Sequence, residues 1–220
     1  MAMMVDLEQA RAACLESIDD FIAEVEGFDA YALLGPSRCH GWTRLDLVVH
    51  QIAGWQELLG GLASVVDEEP TVDAASFWTV FADSEHAEDW VLVLMAQRRR
   101  TAAYATPAAA VDELRVVGES VKRGVSACAD RPMRWLRQNF SAADYLTIWA
   151  VENAVHVQDL FPPAPRPSRA LKLARATAES LLGEPLPAEW SDVEAVLIAT
   201  GRVRVPEEAP GLADRLPAFG

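Results

Sequence analysis

Apolar residues recur along this chain at the spacing of α-helices, and the breaks between them fall at caps, prolines and glycines. The first segment opens at Asp6, with Gln9 placed to close a capping box, and stops at Gly27. Between them Ala10, Ala13, Cys14, Ile18, Phe21, Ile22 and Val25 keep helical register. A loop through Gly35–Pro36–Ser37 and Cys39–His40–Gly41–Trp42 leads to Thr43, which caps a second helix running to about Leu62. The apolar face of that helix centres on Val48, Ile52, Trp55, Leu59 and Leu62, and His50 sits at its edge. After the acidic break Asp67–Pro70, the aromatic patch Phe77, Trp78 and Phe81 suits a short helix. Ser84 offers a start for the next, through Trp90 and Leu94 to Tyr104. Thr106–Pro107 is a strong start signal for a helix reaching about Ala129. Ser141 with Asp144 opens a further one, which Pro162–Pro163 ends.

The stretch Pro162–Pro167 reads as a linker. Beyond it lie a helix from Ser168 to Leu182 with Gly183 as its cap, and a short one opened by Ser191 and Glu194 and ending at Gly201. The Pro- and Gly-rich tail from Arg202 carries no structural signal, and no run of alternating strands is convincing. The pattern predicts an all-α architecture: a bundle of about four long helices with an inserted short helix and a small C-terminal helical extension. The boundary falls between residues 1–161 and 162–220.

Composition narrows the function classes. The formal net charge of −14 argues against nucleic acid or an anionic membrane as partner. No apolar run reaches the roughly 18 residues of a membrane span, and the start lacks the pattern of a secretory signal. Cys14, Cys39 and Cys128 form no Cys-x-x-Cys pair, so they read as structural thiols and point to a reducing cytoplasm. Trp42, Trp55, Trp78, Trp90, Trp135 and Trp149 read mainly as packing residues, and the Arg98–Arg100 run as a solvated face.

One helix breaks the usual partition of polar and apolar residues. At 100° per residue Glu152, His156 and Asp159 share a face with Tyr145, Ile148, Trp149, Val155 and Leu160, while Ala143, Thr147, Ala150, Ala154 and Gln158 lie opposite. A carboxylate and an imidazole inside a large-apolar stripe need compensation from each other, from a hydrogen-bond network or from a cation. Imidazole nitrogen and carboxylate oxygen are ligands of zinc and similar divalent ions, and a bundle builds such sites from facing helices. Glu152 and His156 supply two ligands; His50, His40, His86 or a carboxylate would supply the third. Asp159 is placed to orient a ligand imidazole.

Gly41–Trp42–Thr43 followed by Leu45 to Gly54, with His50 inside, resembles the first motif of the DinB-like metal-binding four-helix bundles. Val151–Glu152, Val155–His156 and Asp159–Leu160 resemble the second motif of the actinobacterial branch typified by the N-terminal domain of mycothiol-dependent maleylpyruvate isomerase. The resemblance spans Asp6 to Leu160 and implies His50, Glu152 and His156 as ligands of a divalent metal, zinc above all. It further implies an enzyme that activates a low-molecular-weight thiol such as mycothiol, for transfer to, or isomerisation of, a small electrophilic substrate. A metal-dependent hydrolase and a non-catalytic metal- or ligand-binding bundle are the alternatives. Only 60 residues follow Leu160, fewer than the second domain expected of that isomerase, which leaves maleylpyruvate itself doubtful as substrate.

Overall fold

The computed structural model describes residues 3–85, 90–163 and 167–219. Its frame is four long helices: α1 (Leu7–Glu26), α3 (Arg44–Ala63), α6 (Pro107–Ala127) and α7 (Ala142–Asp159). Shorter helices α2 (Ala30–Leu33), α4 (Ser76–Glu85) and α5 (Trp90–Thr101) fill the connections, and α8 (Arg169–Leu182) and α9 (Asp192–Ala199) follow the bundle. The all-α expectation holds. The start signals hold too: Thr43 with Asp46 and Ser191 with Glu194 form complete capping boxes, and Thr106 caps α6 with Pro107 in its first turn. Gly183 closes α8 in the left-handed conformation at φ 74°. No helix among the described residues is long and apolar enough to cross a membrane.

Three local expectations need correction. Ser84 lies inside α4 and does not open the next helix. The start signal of α4 itself is Asp73, whose carboxylate accepts from the amides of Ala75 and Ser76 at 3.0 and 2.7 Å; the residues that lead into α5 lie outside the described ones. A two-stranded antiparallel hairpin, β1 (Met133–Trp135) and β2 (Gln138–Phe140), stands where no strand was expected. Its turn residues Leu136 and Arg137 take positive φ without glycine or asparagine, so the usual hairpin signal is absent. The tail is also ordered. The Ala218 amide donates to the Ala199 carbonyl at 2.8 Å, and the Phe219 ring meets Trp78 at 5.2 Å.

The central element is α7. It packs against α1 on one side and α8 on another, so Thr147, Ala150, Ala154 and Gln158, opposite the ionisable face, are buried as well. Its C-terminus is held by two arginines: Arg38 Nε donates to the Gln158 carbonyl and Arg44 Nε to that of Leu160, each at 3.0 Å. These bonds satisfy carbonyls that a helix end leaves without partners, and place positive charge at its negative pole.

A buried amide fixes the rotation of α7. Asn153 Oδ1 accepts from Trp55 Nε1 at 3.0 Å and from Gln51 Nε2, while its Nδ2 donates to Ser17 Oγ at 2.9 Å. One side chain thus ties α7 to α1 and α3, and Glu152 is held beside it facing α3. A close approach fixes the other end: a Cβ at Gly61 would lie 2.0 Å from the hydroxyl oxygen of the fully buried Tyr145, and that hydroxyl donates to the Leu58 carbonyl.

Asn153→Ala is expected to lower stability by roughly 3 kcal/mol, because it leaves buried donors on Trp55 and Gln51 unpaired and opens a void. Gly61→Ala is expected to cost about 1–3 kcal/mol through overpacking against Tyr145. Urea denaturation midpoints check both, and an unchanged midpoint in either variant contradicts the corresponding contact.

Candidate metal centre

Glu152 and His156 stand one turn apart on α7, and α3 brings His50 to face them. His156 Nε2 lies 3.0 Å from Glu152 Oε1, and His50 Nε2 lies 3.6 Å from the same oxygen. The ligand atoms of the three residues all fall within 4.8 Å of one another. Donors at about 2.0–2.2 Å from a tetrahedral ion sit roughly 3.3 Å apart, so a group this close could hold an ion, and without one the 3.0 Å contact is a hydrogen bond. Access is graded: the side chains of His50, Glu152 and His156 are 32%, 27% and 8% exposed, so the first two face the opening and the third is buried. His40 is exposed on its loop, and His86 lies outside the described residues.

The other nitrogen of His156 is also engaged. Its Nδ1 lies 3.0 Å from Asp159 Oδ2, and Asp159 is fully buried. Asp159 in turn accepts from Arg202 Nε and Nη2, both at 3.2 Å, and from the Cys39 thiol at 3.2 Å. A carboxylate on the far nitrogen of a histidine fixes the ring and its tautomer and raises its basicity. Arg202, from the segment after α9, therefore extends the chain of contacts from the C-terminal region to the candidate ligand.

The electrostatics favour positive charge at this point. Burial alone would raise the carboxyl of Glu152, but the charge of His156 and hydrogen bonds from both histidines hold it well below the usual range. Burial likewise opposes ionisation of Asp159, yet His156 and Arg202 draw it down to about 2. Against the desolvation that lowers it, His156 is pushed well above the ordinary histidine value by Glu152, with Asp159 and Cys39 adding hydrogen bonds. Arg202 stays charged beside Asp159 despite its burial.

Glu152 and His50 open into a cavity of about 290 Å³ with aromatic walls that include Phe77, Trp78, Trp135 and Trp149. Gly54 makes room for it: a Cβ there would stand 3.1 Å from the Trp149 ring. Trp149 meets Trp135 at 5.0 Å and Trp135 meets Phe77 at 5.2 Å, so the hairpin forms one wall. Gln51 and Trp78 line this cavity, and Gln51 Oε1 and Trp78 Nε1 are buried with no hydrogen-bond partner among the described residues. Arg100, expected on a solvated face, lines it too, whereas Arg98 donates to the Gly41 carbonyl at 3.1 Å.

Sequence reasoning missed Arg202 and Cys39. Both lie in loops outside any periodic pattern; a buried Asp159 beside a histidine, which needs further donors, is one signal that points to them. Three of the tryptophans read as packing residues, Trp78, Trp135 and Trp149, serve also as cavity walls.

The sequence profile of the mycothiol maleylpyruvate isomerase N-terminal domain matches residues 14–161, a span that holds His50, Glu152 and His156. No match was found among curated proteins. Among solved structures, a histidine-to-alanine mutant of a mycothiol-dependent maleylpyruvate isomerase superposes with a TM-score of 0.65 at 14% identity. At that identity the likeness is one of fold. It covers 92% of this chain and 96% of the matched chain, so the expected shortfall at the C-terminus is not found. With two thirds of its length matched by the profile, the chain belongs to the mycothiol maleylpyruvate isomerase N-terminal domain family.

Proposed function

We propose that His50, Glu152 and His156 hold a divalent cation, zinc by the chemistry of the donors, and that the site promotes thiol-dependent isomerisation of, or transfer to, a small electrophile. The observation that carries this reading is the convergence of three donor atoms within 4.8 Å at a cavity, with the far nitrogen of His156 already held by a buried carboxylate. The donor set fits a three-ligand catalytic site with a position left open. The thiol is mycothiol, the cofactor for which the family is named. Its reduced form and the free cysteines both suit the cytoplasm.

When bound, the ion supplies positive charge that stabilises the thiolate form of a thiol at neutral pH. The protein's own residues do the rest. Trp149, Trp135 and Phe77 exclude water and present flat apolar faces to an unsaturated substrate. Glu152 sets the charge at the inner end of the cavity, and Asp159 keeps His156 in the tautomer whose Nε2 faces it. Residues 1–161 form the metal-binding unit, and residues 162–220 brace it through Arg202.

Protein purified without an affinity tag is expected to carry about one equivalent of divalent metal, with His50→Ala removing it; absence of stoichiometric metal overturns the reading. Conversion of an unsaturated diacid should require both metal and thiol. Metal retention without any turnover would favour a binding protein instead, and turnover indifferent to thiols a metal-dependent hydrolase. Asp159→Asn and Arg202→Gln are expected to weaken metal affinity about 10–100-fold, as loss of supporting hydrogen bonds does in other metal sites. Arg202→Lys, which keeps the charge but not the two-pronged contact, is expected to fall between wild type and Arg202→Gln. Competition titration with a zinc chelator gives these affinities, and equal affinity in all variants contradicts the role assigned to Arg202.

A further inference from the structure

The aromatic cavity has one lining residue that folding alone does not explain. Phe77, Trp78 and Trp149 are buried, whereas Leu136 is 50% exposed and so stands at the rim. Leu136 belongs to the tip of the hairpin. Trp135 pairs with Gln138, which leaves Leu136 and Arg137 to reverse the chain. Both take positive φ, 46° and 64°, as a two-residue turn of the primed type requires. In that region a Cβ crowds the following carbonyl oxygen, and glycine or asparagine is the usual occupant.

Such strain persists only where the surrounding structure over-determines it. Here both edges of the hairpin are clamped. On one, the Arg134 amide donates to the Ser64 carbonyl and the Val66 amide to the Pro132 carbonyl, both at 2.9 Å. On the other, the Asn139 amide donates to Thr71 Oγ1 at 3.0 Å and the Thr71 amide to the Asn139 carbonyl at 2.8 Å. Trp135 Nε1 donates to Glu57 on α3 at 3.3 Å, and Met133 and Phe140 are anchored in the core. These contacts fix the register, so the reversal falls on residues 136 and 137 whatever their identity.

Leucine at position 136 serves neither the turn nor the core. The turn favours asparagine or glycine, and half of the residue is open to solvent beside the cavity. Covering its apolar surface is favourable, and a molecule in the cavity that reaches the rim would cover it.

We propose that Leu136 is a specificity-determining residue: the clamped turn holds it at the rim to pack on the apolar far end of an elongated electrophile whose reacting end lies at His50 and Glu152. The place of the reacting end rests on the metal and thiol reading above; the rim contact does not. The cavity then favours an extended, flat molecule over a compact one, because a short ligand leaves Leu136 exposed.

Two neutral, unreactive amides, benzamide and 4-phenylbenzamide, test the contact without turnover. Ligand-observed NMR on the protein as purified gives their dissociation constants. Lengthening the ligand is expected to tighten binding to the wild type about fivefold more than to Leu136→Ala, as uncovering part of one leucine implies. Leu136→Asn combined with Arg137→Gly supplies the residues that the turn favours. That double variant is expected to raise the thermal midpoint and to lose discrimination as Leu136→Ala does. Equal tightening in the wild type and both folded variants overturns the assignment, as does absence of 4-phenylbenzamide binding to the wild type. A double variant no more stable than the wild type overturns the strain on which the assignment stands. Thiol-dependent isomerisation of the monomethyl and mono(2-phenylethyl) esters of maleic acid then separates this contact from the reading above. The wild type is expected to favour the longer ester in kcat/KM, and Leu136→Ala to narrow that preference about fivefold. If neither ester is turned over but the amides show the Leu136 effect, the thiol reading fails and the rim contact stands. Turnover of both esters with no Leu136 effect overturns the contact alone.

Discussion

A fully buried carboxylate needs positive charge around it, and Asp159 finds it on two sides. Arg202 donates two hydrogen bonds to it from the segment after α9, and His156 Nδ1 faces it from one turn earlier on α7. Everything at the candidate metal centre depends on this contact. It commits one nitrogen of His156 to the interior and leaves the other aimed at Glu152 and His50. It also joins the helical bundle to the C-terminal region, so neither forms its part of the site alone. Removing either partner would leave a buried charge uncompensated, which is far more costly than losing an exposed ion pair.

The bundle supplies the rest by aligning two helices. Asn153 ties α7 to α1 and α3 through Ser17, Gln51 and Trp55 and thereby fixes which way its neighbour Glu152 points. Gly54 and Gly61 let α3 approach the rings of Trp149 and Tyr145. The same close packing that orders the core leaves an aromatic-walled space at His50 and Glu152. Stability and site geometry are therefore set by the same contacts.

Much of this was legible beforehand, and the limits are physical. Long helices announced themselves through periodicity and caps: Thr43–Asp46, Thr106–Pro107 and Ser191–Glu194 each mark a true start. Glu152 and His156 stood out because ionisable groups in a large-apolar stripe are anomalous, and family resemblance singled out His50 from other histidines. The hairpin at Met133–Phe140 was illegible because its strands are three residues long and its turn lacks glycine. The contact of Arg202 with Asp159 was illegible because a loop residue that reaches across the fold leaves no periodic pattern. Asp159, by contrast, is one turn from His156 in sequence, so helical spacing alone puts the two on one face.

The central claim is that one divalent ion sits among His50, Glu152 and His156. Anomalous diffraction from crystals of the tag-free protein, recorded on either side of the zinc absorption edge, tests it most directly. The account predicts a single strong peak within bonding distance of both histidine Nε2 atoms and a Glu152 oxygen. A peak on the Cys39–Asp159 side of His156, or none at any first-row metal edge in protein that is active with thiol, would contradict it.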